Sequence, residues 1–206
     1  MLKIWGRINS TNVKKALWAA EEVGVAYENI PAGGAYGIVT GPEYRAKNPN
    51  SLVPTLEDDD LVLWESNSIV RYLAAKYGQS SLLTTDPAAR ALAERWMDWQ
   101  ISTLAGPFRP VFWNTVRLRP EEQDHAAKAK GIEECARLFA IVDAALARSP
   151  YLSGETLGVG DIPLGCVAYA WFEMPIERPD HPNLAAWYER LKQRPAYQKA
   201  VMTPLT

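Results

Sequence analysis

The fold is decided by the stretch NPNSLVPTLEDDDLVLWESNSIVRYL, which runs from residue 48 to residue 73. Within it, residues 54–57 and 61–64 are short strand-like runs joined by a turn of three aspartates, Asp58 to Asp60. Two such runs around a polar turn predict a β-hairpin. A helix is predicted next, because Ser66 is a common helix-starting residue and apolar residues recur on one face until Gly78. The stretch therefore predicts a β-β-α unit.

The segment before this stretch predicts a β-α-β unit. Residues 2–5 and 25–30 are strand candidates. Between them, residues 9–12 are helix N-cap types, apolar residues follow at helical spacing, and Gly24 stops the helix. A glycine-rich loop over residues 33–42 completes the order β-α-β, loop, β-β-α.

The second part of the chain predicts helices and no strand pairs. Residues 79–87 form a polar connector that ends in Asp86-Pro87, a favourable helix start. Two prolines, Pro107 and Pro110, are expected to kink or interrupt the first helical run. The predicted helical segments are residues 91–99 and beyond, 120–146, 161–172, 183–193 and 195–201.

Composition excludes several classes of protein. The 206 residues are 48% hydrophobic and 22% charged, which is typical of a globular chain rather than a disordered one. With 22 basic and 24 acidic side chains, the net charge of -2 offers no basic excess for nucleic acid or for a membrane surface. We therefore expect neither nucleic acid nor membrane as a partner.

Cysteine and histidine usage indicates a reducing compartment without a metal site. Cys135 and Cys166 are too few for a disulfide framework, and the two histidines lack zinc-ligand spacing. The short apolar run of residues 1–5 lacks the longer apolar stretch of a signal peptide, so none is expected there. We expect a cytoplasmic protein that holds no metal.

The first strand-to-helix turn has no nucleotide-binding motif. It reads GRINS from Gly6, without G-x-G-x-x-G or a P-loop. Ser10, Thr11 and Asn12 nevertheless place donors at a helix N-terminus, where a small anion is stabilised. Two interpretations remain open here: these residues bind an anion, or they only cap the helix.

Three motifs in order identify a resemblance. NPNSLVPTL at residues 48–56 resembles the N-P-x-G-x-V-P-x-L segment of glutathione S-transferases, and WESNSIVRYL at residues 64–73 resembles their E-S-x-A-I-x-x-Y-L segment. Residues 9–17 are similar to the S-T-x-x-x-[KR] helix start of serine-type members, in a bacterial branch with N-S-T-N-V-K-K. The resemblance covers the whole chain.

The resemblance implies an α/β thioredoxin-like N-terminal domain plus an all-α C-terminal helical domain. Residues 1–79 are expected to bind reduced glutathione, and residues 87–206 to complete the site for an electrophile. It also implies a cytoplasmic homodimer that acts in detoxification, with glutathione as co-substrate and no metal.

The same resemblance implies four residues that bind glutathione. Val53-Pro54 is expected to be a cis peptide whose Val53 backbone pairs with the cysteinyl backbone of glutathione like an added strand. Ser66 is expected to receive the γ-glutamyl carboxylate, and Glu65 the neighbouring amine. The alternatives are a turn proline that opens an edge strand, and an ordinary N-cap at Ser66.

Activation of the sulfur is assigned to the first helix. The pKa of a free thiol is near 8.5, and lowering it by about 2 requires that the thiolate be stabilised by about 2.7 kcal/mol relative to the thiol. Ser10 matches the catalytic serine of the family, and Asn12 is a second candidate that the sequence does not separate from it. Because no cysteine precedes Cys135, the glutaredoxin-like chemistry of cysteine-type members is expected to be missing.

Other positions depart from the pattern or stay open. Ser51 replaces the family's glycine, and Leu52 replaces its usual basic residue. The residue that binds the glycyl carboxylate of glutathione is therefore not identified; Arg45, Lys47 and other residues are candidates. Asp161 is expected to be structural rather than catalytic, with Gly158 in place of the capping Ser or Thr of the family's S-x-x-D motif. Aromatic and basic residues that either face the electrophile or form core are Phe108, Arg109, Phe112, Trp113 and Arg117, with Trp171 and Phe172 as a second candidate wall.

The leading hypothesis is an enzyme that transfers the glutathione thiolate to a small electrophilic carbon. The first alternative is a non-catalytic glutathione-fold protein that binds ligands or regulates a partner. The second is a glutathione-dependent peroxidase, which uses the same thiolate. The sequence does not name the electrophile.

Overall fold

The chain forms two compact units in this computed structural model, which describes residues 1–79 and 81–206. Ser80, in the predicted polar connector, lies outside the described residues. The first unit contains Met1–Thr85 and Arg194–Thr203, and the second contains Asp86–Gln193 and Pro204–Thr206. None of the described helices combines the length and the apolar composition needed to cross a membrane.

The first unit is a four-stranded sheet with helices. Its elements are β1 (Leu2–Trp5), α1 (Thr11–Glu22), β2 (Tyr27–Ile30), α2 (Pro42–Lys47), β3 (Thr55–Asp58), β4 (Leu61–Trp64), α3 (Ser66–Tyr77) and α9 (Pro195–Ala200). The strand order is β2-β1-β3-β4; β1 pairs parallel with β2, and the other pairs are antiparallel. This confirms the predicted thioredoxin-like domain. The continuous loop predicted over residues 33–42 is wrong in part, because a 3₁₀ turn (Gly34–Tyr36) and the start of α2 interrupt it.

One row of paired residues fixes how the strands end. Trp5 pairs with Ile30 on one side and with Thr55 on the other, and Thr55 pairs with Trp64. The strands β1, β2 and β4 end at this row, whereas β3 begins there. As a result, the chain segments that follow β1 and β4 and the segment that precedes β3 leave the sheet at the same edge.

The C-terminal segment Arg194–Thr203 belongs to the first unit. The sequence-based domain boundaries had assigned it to the second domain. Tyr197 of α9 packs edge-on against Trp18 of α1, with ring centroids 4.7 Å apart. Arg194 forms two hydrogen bonds of 2.7 and 2.6 Å with Glu22. The buried Lys14 donates from Nζ to the carbonyl oxygen of Val201, at 2.8 Å, where α9 ends. A cation at the C-terminal end of a helix stabilises its free carbonyl groups.

The second unit is helical in its described residues, which confirms the predicted all-α domain. Its helices are α4 (Pro87–Trp99), α5 (Ala105–Phe112), α6 (His125–Leu146), α7 (Asp161–Glu173) and α8 (Pro182–Lys192). Pro110 lies within α5, which has a π-helical turn on each side. The prediction that Pro120 opens the long helix is wrong. It begins a 3₁₀ turn instead, and Asp124 caps α6 by accepting a hydrogen bond from the Ala127 N–H.

Asp161 has the structural role that the sequence predicts. It is fully buried at the start of α7, and its carboxylate accepts hydrogen bonds from the backbone N–H groups of Leu152 and Gly158 and from Trp187 Nε1. These donors satisfy a buried charge and join three segments of the unit.

A buried carboxylate also joins the hairpin to α3. Asp58 Oδ2 accepts from Lys76 Nζ at 2.7 Å and from the hydroxyl groups of Tyr72 and Tyr77 at 2.6 Å. Burial alone raises the pKa of this carboxyl, but the three donors outweigh burial and lower it to about 2.

We predict that Asp58→Asn lowers the free energy of unfolding by about 2 kcal/mol at pH 7, because the depressed pKa is a stability term. The folded pKa lies below the unfolded one, so this contribution is complete above about pH 4 and is lost as the pH falls towards 2. Urea unfolding of both proteins between pH 7 and pH 3 measures it. A difference that does not shrink with falling pH contradicts the assignment.

Candidate functional site

Three chain segments meet at the sheet edge defined by the Trp5–Thr55–Trp64 row. The loop from Gly6 leads into α1, the segment ending at Pro54 leads into β3, and Glu65 leads into α3. Both helices start there, so two positive helix ends point to one place. This edge holds all six residues that the sequence singles out: Ser10, Asn12, Val53, Pro54, Glu65 and Ser66.

Ser10 occupies the N-cap position of α1 but does not cap it with its side chain. Its backbone is extended, with φ -85° and ψ 123°, and its carbonyl accepts the first helical hydrogen bond from Lys14 N at 2.9 Å. The hydroxyl has no hydrogen-bond partner among the described residues. The capping interpretation of this hydroxyl therefore does not hold, and the group is available to a ligand.

Asn12 and Ser66 connect the two helix starts. The Ser66 hydroxyl lies 3.4 Å from Asn12 Oδ1, which is long for a hydrogen bond between oxygens and records proximity rather than a strong interaction. Ser66 is the first residue of α3 and not its N-cap, which is Glu65. Asn12 is exposed and Ser66 is buried, so the pair forms one wall of the edge.

Glu65 has a backbone conformation that is unusual for its residue type. Its φ is 73°, in the region that favours glycine, and its side chain is exposed. Strain of this kind costs about 1–3 kcal/mol and is often found at functional sites. The conformation places a carboxylate directly before the start of α3.

Val53-Pro54 is a cis peptide, as the resemblance implies. No hydrogen bond within the described residues engages the N–H or C=O of Val53. The segment is held from behind, because Tyr44 Oη and Asn48 Nδ2 both donate to the Leu52 carbonyl, at 2.7 and 2.9 Å. The Val53 backbone is thus a fixed strand edge that can pair with an extended ligand.

Tyr44 and Asn48 are structural residues of the site that sequence reasoning missed. Both also contact Thr55 Oγ1, at 2.8 and 3.1 Å, and Asn48 is buried. The signal for Asn48 was present, as the first letter of the N-P motif. Ser51, which stands where the family has glycine, has φ 56°. A left-handed backbone explains why glycine suits this position.

The two cations that the sequence left open for a carboxylate have other contacts. Lys47 Nζ lies 2.5 Å from Glu57 Oε2 and over the ring of Trp5. Arg45 is exposed and donates from Nε to Ser51 Oγ at 3.2 Å. These contacts do not identify either Lys47 or Arg45 as the residue that binds the carboxylate.

The aromatic cluster of the second unit divides into core and surface. Phe108 and Phe112 are buried and stacked, with centroids 6.2 Å apart. Trp113 is 44% exposed, and Arg109 lies over its ring. The expectation that this cluster faces the electrophile stays a prediction. In the second candidate wall, Trp171 is fully buried and belongs to the core.

The two cysteines offer no nucleophile. Both are buried and neither forms a disulfide within the described residues, and burial raises the pKa of the Cys135 thiol to about 12. Among the described residues, no group of three or more His, Cys, Asp or Glu side chains is placed to hold a metal ion.

A thioredoxin-like sheet with a cis-proline edge beside a helix start, followed by a helical unit, is the architecture that the sequence resemblance implies. Family models match both parts: the glutathione S-transferase N-terminal domain at residues 1–75, and its C-terminal domain at residues 101–195. The chain belongs to the glutathione S-transferase family.

Relatives agree with this assignment over nearly their whole length. Glutathione S-transferase GstB of Escherichia coli K12 is 49% identical, with 100% of both chains covered. A theta class glutathione S-transferase of Xanthomonas axonopodis pv. citri, solved with glutathione bound, is 60% identical with a TM-score of 0.98 over 100% of this chain and 99% of that one. Glutathione S-transferase I from maize, solved with an atrazine glutathione conjugate, is 26% identical with a TM-score of 0.87 over 98% and 96%.

The free hydroxyl of Ser10 predicts that Ser10→Ala changes stability little. Because no cap hydrogen bond is lost, we expect a change below about 0.5 kcal/mol in the free energy of unfolding. The matched control is Asp86→Ala, which removes a real cap: Asp86 Oδ2 accepts from Ala89 N at 2.7 Å. Its expected loss is about 1 kcal/mol. Urea unfolding measures both, and an equal loss in the two variants makes Ser10 a cap after all.

Proposed function

We propose that this protein is a glutathione S-transferase that conjugates the thiolate of reduced glutathione to small electrophiles. The observation that carries the proposal is the unengaged Ser10 hydroxyl at the start of α1. It lies at the same sheet edge as the unengaged Val53 backbone and the Glu65-Ser66 start of α3.

Glutathione has three parts that this edge matches. The cysteinyl N–H and C=O pair with Val53 as a short added strand. The γ-glutamyl carboxylate accepts from the Ser66 hydroxyl and N–H at the positive end of α3, and the exposed Glu65 carboxylate accepts from the neighbouring ammonium. In this pose the cysteinyl side chain extends towards the start of α1, where Ser10 and Asn12 lie.

The sulfur is activated by hydrogen bonds and by the helix end. One charge-assisted hydrogen bond contributes about 1.5–3 kcal/mol, and the helix N-terminus adds about 0.3–1 kcal/mol. Their sum reaches the roughly 2.7 kcal/mol needed to lower the thiol pKa by about 2. The thiolate then attacks an electrophilic carbon: an S–C bond forms, and the leaving group departs with the electrons of the broken bond.

Relatives support both partners of this reaction. The Xanthomonas axonopodis protein was solved with glutathione bound, and the maize protein with an atrazine glutathione conjugate, which is a product of such a transfer. We extend both ligand classes to this chain. We also place it in the cytoplasm, in detoxification; cell fractionation with a specific antibody tests the location.

We predict that bound glutathione ionises at lower pH than free glutathione. The ultraviolet absorbance of the thiolate, followed between pH 5 and 10, is expected to show a thiol pKa about 2 below 8.5. Ser10→Ala or Asn12→Ala, whichever removes the hydrogen bond to sulfur, raises the pKa by about 1–2 and lowers kcat/KM about 10- to 100-fold.

Thr11→Ala is the matched control on the same helix turn, and it should leave the titration unchanged. A wild-type thiol with an unshifted pKa points to the non-catalytic binding protein. An ionised thiol that reduces hydroperoxides but conjugates no halide, epoxide or unsaturated carbonyl points to the peroxidase. If neither Ser10→Ala nor Asn12→Ala changes the rate, the activating group lies elsewhere.

We further propose that the protein is a homodimer, as the family resemblance implies. The second unit carries a groove of about 680 Å³ lined by Trp96, Trp99, Ile141 and two exposed arginines, Arg95 and Arg148. The β3–β4 hairpin of the first unit shows the complementary chemistry. Its exposed apolar and acidic residues are Leu61, Val62, Trp64, Asp59 and Asp60. The hairpin of a second copy therefore matches the groove in polarity and in charge.

Charge reversal tests this pairing. We expect analytical ultracentrifugation to find a dimer at micromolar concentration, and Arg95→Glu with Arg148→Glu to weaken it at least tenfold. Adding Asp59→Arg and Asp60→Arg to the same chain should restore association. Arg137→Glu, at an exposed arginine of α6 outside the groove lining, is the control. A monomeric wild type contradicts the proposal.

A further inference from the structure

Arg7 lies at the same sheet edge, and nothing described above gives it a role. It follows β1 by two residues, and its backbone N–H donates to the Ala32 carbonyl at 3.0 Å. Its side chain therefore starts between the loop that carries Ser10 and the loop that follows β2.

The guanidinium lies beneath two glycines and beside Val53. A Cβ on Gly34 would stand 3.3 Å from Arg7 Nε, and one on Gly33 would stand 3.2 Å from Arg7 Nη1 and 3.3 Å from Val53 Cγ1. Both glycines have positive φ, 58° at Gly34 and 75° at Gly33. The side chain is thus packed under a close-fitting loop and held next to the strand edge where the cysteinyl backbone pairs.

No acceptor among the described residues forms a hydrogen bond with this guanidinium. Arg7 Nε is buried without a hydrogen-bond partner, and no carboxylate in residues 1–79 or 81–206 forms an ion pair with Arg7. The nearby Lys47, in contrast, is paired with Glu57. A half-buried arginine without a protein acceptor is costly on its own, and an anionic ligand offsets that cost.

We propose that Arg7 binds a carboxylate of the reacting molecules. An arginine matches a carboxylate with two parallel N–H donors, which a lysine does not. The inference rests on the proposed function and extends it to the charge of the ligand. Two sources supply this chemistry: the glycyl end of glutathione, or an acidic group on the electrophile.

Both sources are within reach of a group beside Val53. The glycyl residue continues the added strand and stands about 3.4 Å along it from the cysteinyl residue. The electrophile approaches the cysteinyl sulfur, so a carboxylate next to its reactive carbon also lies close to this position. Leu52, at the family's usual basic position, is 65% exposed and cannot pair with a carboxylate.

The first arm of the test concerns glutathione itself. Calorimetry compares the affinity of the wild type and of Arg7→Gln for glutathione and for its glycyl ethyl ester, which lacks the glycyl charge. If the glycyl end is the source, the wild type prefers glutathione about 10- to 100-fold, and Arg7→Gln loses that preference without weakening the binding of the ester.

The second arm concerns the electrophile. It compares kcat/KM for chloroacetate and chloroacetamide, which differ in charge but hardly in size, after subtraction of the uncatalysed rate. If the electrophile is the source, Arg7→Gln lowers kcat/KM about 10- to 100-fold for chloroacetate and leaves chloroacetamide within about twofold.

Two further variants separate charge from packing. Arg7→Lys keeps the charge and should retain part of the preference, whereas Arg45→Gln, at an exposed arginine of the same unit, should change neither arm. The inference is overturned if Arg7→Gln weakens charged and neutral ligands equally, if the wild type shows no preference in either arm, or if Arg45→Gln removes it.

Failure of the proposed function gives a different result. If the wild type binds neither glutathione nor its ester, the site itself is misassigned, whatever Arg7 does. If it binds both equally and also transfers to both chloro compounds equally, the function stands and the carboxylate assignment to Arg7 falls.

Discussion

The structure of the first unit depends on one register, the row in which Ile30, Trp5, Thr55 and Trp64 pair across the sheet. This row brings the start of α1, the cis-proline edge and the start of α3 together from positions up to 56 residues apart in the sequence, from Ser10 to Ser66. A shift of one residue in β3 would turn its side chains to the opposite faces and move Val53 away from the helix starts. The register is therefore a requirement of the site as well as of the core.

At this edge, some polar groups form hydrogen bonds that fix the backbone, and adjacent polar groups remain available to a ligand. Tyr44 and Asn48 donate to the Leu52 carbonyl, whereas the neighbouring Val53 backbone has no hydrogen-bond partner in the part of the chain that the structure describes. Ser10 shows the same division, because its carbonyl accepts from Lys14 N while its hydroxyl stays unengaged. Groups placed in this way lose little conformational entropy when a ligand binds, which is the physical basis of preorganised recognition.

Much of the fold followed from local pattern, and the errors have local reasons. The hairpin, α1 and α3 were predicted because their apolar periodicity and turn residues agree. The helix α2 was missed because it has only six residues and directly follows a glycine-rich segment. The start of α6 was placed too early because a proline such as Pro120 also starts a 3₁₀ turn. The packing of α9 on α1 rests on contacts between residues about 180 positions apart, such as Trp18 with Tyr197, which no local pattern encodes.

The site was predictable only in part. Ser66 and Val53 stand in motifs, and their positions at the sheet edge follow from those motifs; their roles toward glutathione stay a proposal. The proximity of Asn12 to Ser66 and the packing of Arg7 under Gly33 needed three-dimensional information, since the residues involved are distant in the chain.

The most direct measurement is a crystal structure of the protein soaked with reduced glutathione. The account predicts the cysteinyl backbone on Val53 and the sulfur within hydrogen-bonding distance of Ser10 or Asn12. A tripeptide bound elsewhere, or a sulfur that points away from the start of α1, would contradict it.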